Sequence, residues 1–157
     1  MGKIKFWTGM MEVFSFFVLI TVIVFFAISY TTLPERIPMA FSGSGEPVEG
    51  GKIYFLITFW LGFCSYGLLF ILKRFPRLMS YPVKITPENV DLQARLAKLM
   101  LSILTLFCML IILVVLYDLY ARATSSAARG SVIPVVVLFA GIFLDVGIYI
   151  LIAKKNK

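Results

Sequence analysis

The chain contains no histidine, only two cysteines and, across 157 residues, only eight acidic side chains. Imidazole is absent, and Cys64 and Cys108 each stand alone inside an apolar stretch, so no ligand cluster for a catalytic metal can be drawn. The same scarcity argues against a thiol oxidoreductase, which needs paired, accessible cysteines near a surface. The two cysteines are expected to be small packing residues, at depths that could let them face each other. No nucleophile–base pair and no glycine-rich phosphate cradle occurs either. The chain is therefore not expected to be an enzyme or to carry a cofactor. Charge is sparse too. Only 15% of residues are charged against 61% hydrophobic, more apolar than a soluble domain of this size can hide.

What fills the chain instead is four long apolar runs, Val13–Tyr30, Ile53–Leu72, Leu99–Tyr117 and Val132–Ala153. Each has the ~20 residues that a helix rising ~1.5 Å per residue needs to cross a ~30 Å hydrocarbon layer. They are apolar all round and lack the alternation of a barrel strand. Lipid offers no partner to an open backbone, so these runs must be helices. The expected fold class is an all-α integral membrane protein, a four-helix transmembrane bundle forming one domain over 1–157. Helices are expected at about 9–30, 53–73, 87–118 and 131–153, with an outer loop at 31–52 and a basic inner loop at 73–86.

The net charge of +7 suggests nucleic acid at first sight. Its distribution explains it better. Lys3, Lys5, Lys73, Arg74, Arg77, Lys84, Arg95, Lys98, Lys154, Lys155 and Lys157 all fall on one side of the four-span topology. Arg36, Lys52, Arg122 and Arg129 fall on the other, which is the positive-inside bias. Both termini are expected in the cytoplasm of a multi-pass protein of the inner (plasma) membrane, with lipid as the partner of the basic rim and no nucleic acid. Lys3 and Lys5 before an apolar run, with Ala27-Ile28-Ser29 after it, resemble a signal peptide. The run is longer than a usual signal core, so it is read as retained.

The outer loop is rich in proline and glycine (Pro34, Pro38, Pro47, Gly43, Gly45, Gly50, Gly51) and cannot continue a helix. Its apolar members Leu33, Ile37, Met39 and Phe41 suggest that it folds back onto the helix ends. In the inner loop, Thr86-Pro87-Glu88-Asn89 reads as a helix start with Thr86 as the cap. Glu12 is expected to pair with Lys98 or Arg95 at the interface. Gly62, Gly67, Gly141 and Gly147 are expected to permit close helix approach.

Asp145 lies too deep in the fourth run for its short side chain to reach water, and an ionised carboxylate there is costly. At matching depth the other runs offer Thr21, Ser65 with Tyr66, and Thr105, enough for a polar pocket inside the bundle. Three readings stay open: a neutral acid bonded to those hydroxyls, a proton or cation site on a transport path, or a partner for a cation from another helix or a ligand.

Leu33-Pro34-Glu35-Arg36-Ile37-Pro38-Met39-Ala40-Phe41-Ser42, followed by Gly45-Glu46-Pro47 and Gly51-Lys52, resembles the outer loop of a widespread bacterial membrane domain. That loop reads L-P-x-x-I-P-x-H-F-N, then G-x-x-D and a Gly/Ser-Lys entering the second helix. The domain forms the N-terminal part of the immunity proteins that protect cells against the sporulation-delaying toxin. Tyr81-Pro82-Val83-Lys84-Ile85-Thr86, with Glu88-Asn89 after it, is similar to the same family's inner loop. This chain has Ala40, Ser42 and Val48 where the family has His, Asn and Asp. The resemblance implies a non-enzymatic immunity-like protein whose outer loop binds a peptide toxin or an envelope signal. The residues it singles out for that role are Pro34, Glu35, Arg36, Pro38, Phe41, Gly45, Glu46 and Lys52. The alternative is a small proton- or ion-coupled transporter that uses Asp145 and works as a homodimer. A third is an accessory subunit that docks through its glycine-lined helix faces.

Overall fold

The computed structural model describes residues 2–41, 47–75, 78–124 and 131–156. Four helices and one hairpin follow in the order α1 (Gly2–Thr32), β1 (Arg36–Phe41), β2 (Pro47–Gly51), α2 (Ile53–Arg74), α3 (Val90–Thr124) and α4 (Ile133–Lys155). All four helices are long and apolar enough to cross a membrane, and they pack as a bundle. The chain is a multi-pass membrane protein.

The centre of the bundle is α3, which packs against α1, α2, α4 and β1. The reason is written along it. Gln93, Ala97, Leu101, Thr105, Met109, Leu116 and Leu119 recur at steps of about one or two turns and are all buried. Ala97, Ser102 and Thr105 are small, which lets neighbouring backbones come close where lipid supplies no hydrophobic push between helices. At 31 and 35 residues, α1 and α3 would be roughly 46 and 52 Å long at ~1.5 Å per residue. They exceed the hydrocarbon thickness, so both project beyond it or tilt within it.

Gln93 ties the end of α4 to α3. Its Nε2 donates to the carbonyls of Ala153 (3.1 Å) and Asn156 (2.8 Å) at the end of α4, where the Ala153 carbonyl also accepts the Asn156 N–H (3.3 Å). Around it, Leu96, Ala97, Tyr149 and Ala153 form a core with Ile4 of α1 and Met79, Tyr81 and Val83 of the inner loop. The start of α1, the start of α3 and the end of α4 therefore share one end, the basic one. Asn89 holds the approach to α3. Its Oδ1 accepts the Thr86 N–H (2.9 Å) and its Nδ2 donates to the Lys84 carbonyl (3.1 Å). The Thr86 carbonyl, in turn, receives the Asn89 and Val90 N–H groups. The expected Thr86 side-chain cap is replaced by this Asn89 arrangement, and Thr86–Asn89 forms a turn ahead of the helix at Val90.

At the other end, α1 stops at Thr32, just before Leu33-Pro34, because a residue preceding proline is pushed out of the helical region. The outer loop then forms an antiparallel hairpin, with Arg36 opposite Gly51, Ile37 opposite Gly50, Pro38 opposite Glu49, Ala40 opposite Val48 and Phe41 opposite Pro47. The register slips between Pro38 and Ala40, so Met39 is the bulged residue. Both strands are edges, which is where a strand tolerates proline.

The hairpin does fold back on the bundle. Leu33 and Ile37, 5% and 0% exposed, join Val22, Phe55, Leu116 and Leu119 in one core. Phe26 of α1 stacks on Phe59 and Phe55 of α2, with centroids 4.0 and 5.6 Å apart, directly beneath.

Candidate functional site

At the end of the bundle opposite the basic one, the hairpin exposes polar side chains while being anchored to the bundle from within. Two devices hold it. Arg122, in the last turn of α3, pairs with Asp118 one turn earlier and donates through Nη1 to the Met39 carbonyl at 3.0 Å. The bulge at Met39 turns that carbonyl out of the ladder and into reach. Gly50 lies under the bulge, where an added Cβ would come within 2.5 Å of Met39 Cγ and 3.1 Å of the Tyr54 ring, so only glycine fits without a shift.

The ends of the hairpin are pinned as well. The Lys52 N–H donates to the Glu35 carbonyl at 2.9 Å, and Leu33 N–H to Ser29 at 3.1 Å. The Lys52 ammonium sits 4.4 Å from the centre of the Tyr30 ring, a cation–π contact between the base of the hairpin and α1.

On this frame Pro34, Glu35 and Arg36 are exposed, while Pro38 is half-buried against the bundle. Arg36 reaches Glu49 across the strands at 3.5 Å, both side chains largely in solvent, where such a pair adds little stability. They remain available for contact. Phe41 is described by its backbone, paired with Pro47. Gly45 and Glu46 lie outside the described residues.

The intramembrane polar residues are not brought together as their depth suggested. The Thr21 hydroxyl is exposed on α1 and donates to the Phe17 carbonyl (3.0 Å), that of Ser65 to Leu61 (2.7 Å), and that of buried Thr105 to Leu101 (2.6 Å). Each is satisfied one turn back on its own helix, the usual refuge of a hydroxyl in an apolar setting. Tyr66 meets buried Ser15 of α1 instead. Asp145 faces a cavity of about 70 Å³ between α3 and α4, lined mainly by Leu96, Leu99, Met100, Ile103, Ile148 and Tyr149. Its Oδ2 is buried without a hydrogen-bond partner among the described residues.

At the basic end, Glu12 pairs with Lys98 at 3.7 Å across α1 and α3. Lys73 in the last turn of α2 is only 8% exposed and faces the same pair across a cavity of about 110 Å³ that Phe70 and Arg74 also line. Sequence reading placed Lys73 in the inner loop and gave Gln93 no role. An amide three residues into a helix carries no pattern that names its distant acceptor.

Two of the four packing glycines do what was expected. A Cβ at Gly62 would meet Ile112 at 2.7 Å and one at Gly141 would meet the Phe107 ring at 2.7 Å, whereas Gly67 and Gly147 have no atom within 4 Å. Cys64 is exposed and Cys108 half-buried, both as free thiols. Among the described residues no group of three or more metal-ligating side chains comes together. Comparison with protein-family models, curated proteins and solved structures finds no match for this chain.

Proposed function

We propose that this chain is a non-enzymatic protein of the inner membrane whose outer hairpin binds a membrane-active peptide or an envelope factor, in the manner of the immunity-like family its loop resembles. The observation that supports this is the anchoring of the hairpin. Ile37 is fully buried, Met39 is tied to Arg122, and Glu35, Arg36 and Glu49 are left facing outward on a fixed frame. Preorganisation of this kind lowers the ordering cost of binding, and a two-stranded sheet has a free edge that an extended peptide can join. The basic end belongs in the cytoplasm by the positive-inside rule, which puts the hairpin outside.

The test is a survival assay of cells challenged with a panel of membrane-active peptides. Cells expressing the chain should outlive cells without it, and Glu35→Lys/Glu49→Lys should remove the advantage while leaving protein level unchanged. Equal survival across the panel, with and without the chain, overturns the proposal.

A second reading, an ion-coupled carrier that works as a dimer, is favoured by the unpartnered Asp145 oxygen in its apolar groove. Proton-coupled uptake in vesicles should fall in Asp145→Asn. Uptake indifferent to that change removes the carrier.

A further inference from the structure

At the basic end, residues of α1 and α3 line a cavity of about 710 Å³, of a size that suits a small-molecule ligand. Lys5 and Arg95 stand on its walls together with Lys98 and Glu12, and Thr8 and Gly9 form part of its floor. Glu12 is engaged by Lys98 at 3.7 Å, so one positive charge is offset. Lys5 and Arg95 have no ion-pair partner among the described residues. Asp91, one turn before Arg95, is not in salt-bridge range of it. The cavity therefore carries two uncompensated cations, one of them a guanidinium that can grip a phosphate through two parallel hydrogen bonds.

The cavity continues into a more apolar groove. It shares Gly2, Lys5 and Gly9 with this second groove of about 650 Å³ that continues along α1 over Phe6, Met10 and Val13. Phe6 and Val13 are 65% and 55% exposed, on a stretch of α1 that leads into its membrane span. The space beside Gly2 and Gly9 is open, since a Cβ at either would meet no atom within 4 Å. A cationic chamber at headgroup level that opens onto an apolar trough has the shape and polarity of one anionic amphiphile.

We propose that this cavity is a specific site for the headgroup of an anionic phospholipid, with Lys5 and Arg95 on the phosphate and an acyl chain along Phe6, Met10 and Val13. Glu12 sets the lower boundary. Its carboxylate, held by Lys98, repels an anion from going deeper toward Lys73. A free phosphate would use the same cations but leave the trough empty. The site stands apart from the outer hairpin, so its test does not depend on what the hairpin binds.

The test is native mass spectrometry of the purified protein exchanged into mixed micelles of phosphatidylglycerol and phosphatidylcholine with matched acyl chains. The wild-type chain should retain phosphatidylglycerol over phosphatidylcholine by about tenfold, the scale of one charge-assisted contact. Lys5→Gln/Arg95→Gln should lose that preference, and Gly9→Leu, which fills the floor without changing charge, should lose lipid of both kinds. Lys154→Gln/Lys155→Gln removes the same charge from the same end outside the cavity and should leave the preference intact. Equal retention of the two lipids by the wild type overturns the proposal. So does loss of preference in the Lys154/Lys155 variant equal to that in the Lys5/Arg95 variant, because the basic rim as a whole would then be responsible. Displacement of the lipid by millimolar inorganic phosphate overturns the lipid assignment in favour of a soluble anion.

Discussion

Arg122→Ala should free the hairpin from the bundle without unfolding the bundle. Arg122 contributes a charged donor to a neutral carbonyl, Nη1 to Met39 at 3.0 Å, and an ion pair with Asp118 one turn away. The Arg122 side chain is only 15% exposed, so water compensates little for its loss. A hydrogen bond to a charged group is worth about 1.5–3 kcal/mol, and a helical ion pair about 0.3–1 kcal/mol. The ion pair lies within α3 and survives undocking, so the bond to Met39 alone sets the docking term, about 1.5–3 kcal/mol, or about a 10- to 150-fold rise in the population of the undocked hairpin. Amide hydrogen exchange in lipid nanodiscs reads this directly, because exchange of a protected amide follows its opening equilibrium. Peptides covering 36–41 and 47–51 should exchange faster by that factor, while those in the middle of α3 stay unchanged. Asp118→Asn is the discriminating control. It removes the ion pair but keeps the bond to Met39, so the hairpin should accelerate by no more than about fivefold. Hairpin exchange in Arg122→Ala within threefold of wild type refutes the reasoning. An Asp118→Asn effect as large as that of Arg122→Ala would locate the tie in the ion pair and not at the bulge.

Other outcomes follow from the same packing. Gln93→Leu removes the side-chain donor from the Asn156 carbonyl and one of two donors from the Ala153 carbonyl, and should cost about 1–3 kcal/mol, read as a lower midpoint in detergent denaturation. A neutral result would mean that water replaces the amide there. Gly62→Leu should destabilise the α2–α3 contact or displace Ile112, whereas Gly67→Leu should be silent by the same measurement, since only the first has a neighbour at 2.7 Å. Cysteines placed at Glu49 and Ser80, with Cys64 and Cys108 replaced by serine, should be labelled from opposite faces of sealed vesicles. Labelling of both from one face contradicts the four-span topology.

How much of this was legible in the sequence depends on which physical signal was read. Length and apolarity name a membrane helix with no tertiary information, so four spans could be read directly from runs such as Ile53–Leu72. The return of the outer loop was legible for a similar reason. Leu33, Ile37 and Met39 are too apolar to sit in water among prolines and glycines, and Leu33 and Ile37 are buried. The hairpin itself was hidden. Pro38 and Pro47 argue against strands by propensity, and only the cross-strand register, with a bulge at Met39 over Gly50, shows how both prolines fit on edges. Arg122 with Asp118 was readable as a pair spaced by four, yet its second acceptor is a backbone carbonyl far away in sequence, and no side-chain pattern marks a carbonyl.

Depth without rotation explains the rest. Counting residues from the ends of a span fixes how far a side chain lies along the membrane normal, but a helix that is apolar all round gives no moment to say which way it turns. Asp145, Thr21, Ser65 and Thr105 share a depth by that count and are separated by rotation: Thr21 faces outward, Thr105 faces the core of α3, and Asp145 faces the α3–α4 groove. The hydroxyls close onto their own helices, which costs the bundle nothing and leaves them no reason to converge. A carboxylate has no such refuge, since its oxygens accept only and the carbonyls around it accept as well. In lipid, therefore, a serine or threonine says little about its neighbours, whereas an aspartate obliges the fold to supply a donor, a proton or a ligand. Asp145 is the residue of this bundle on which that obligation falls.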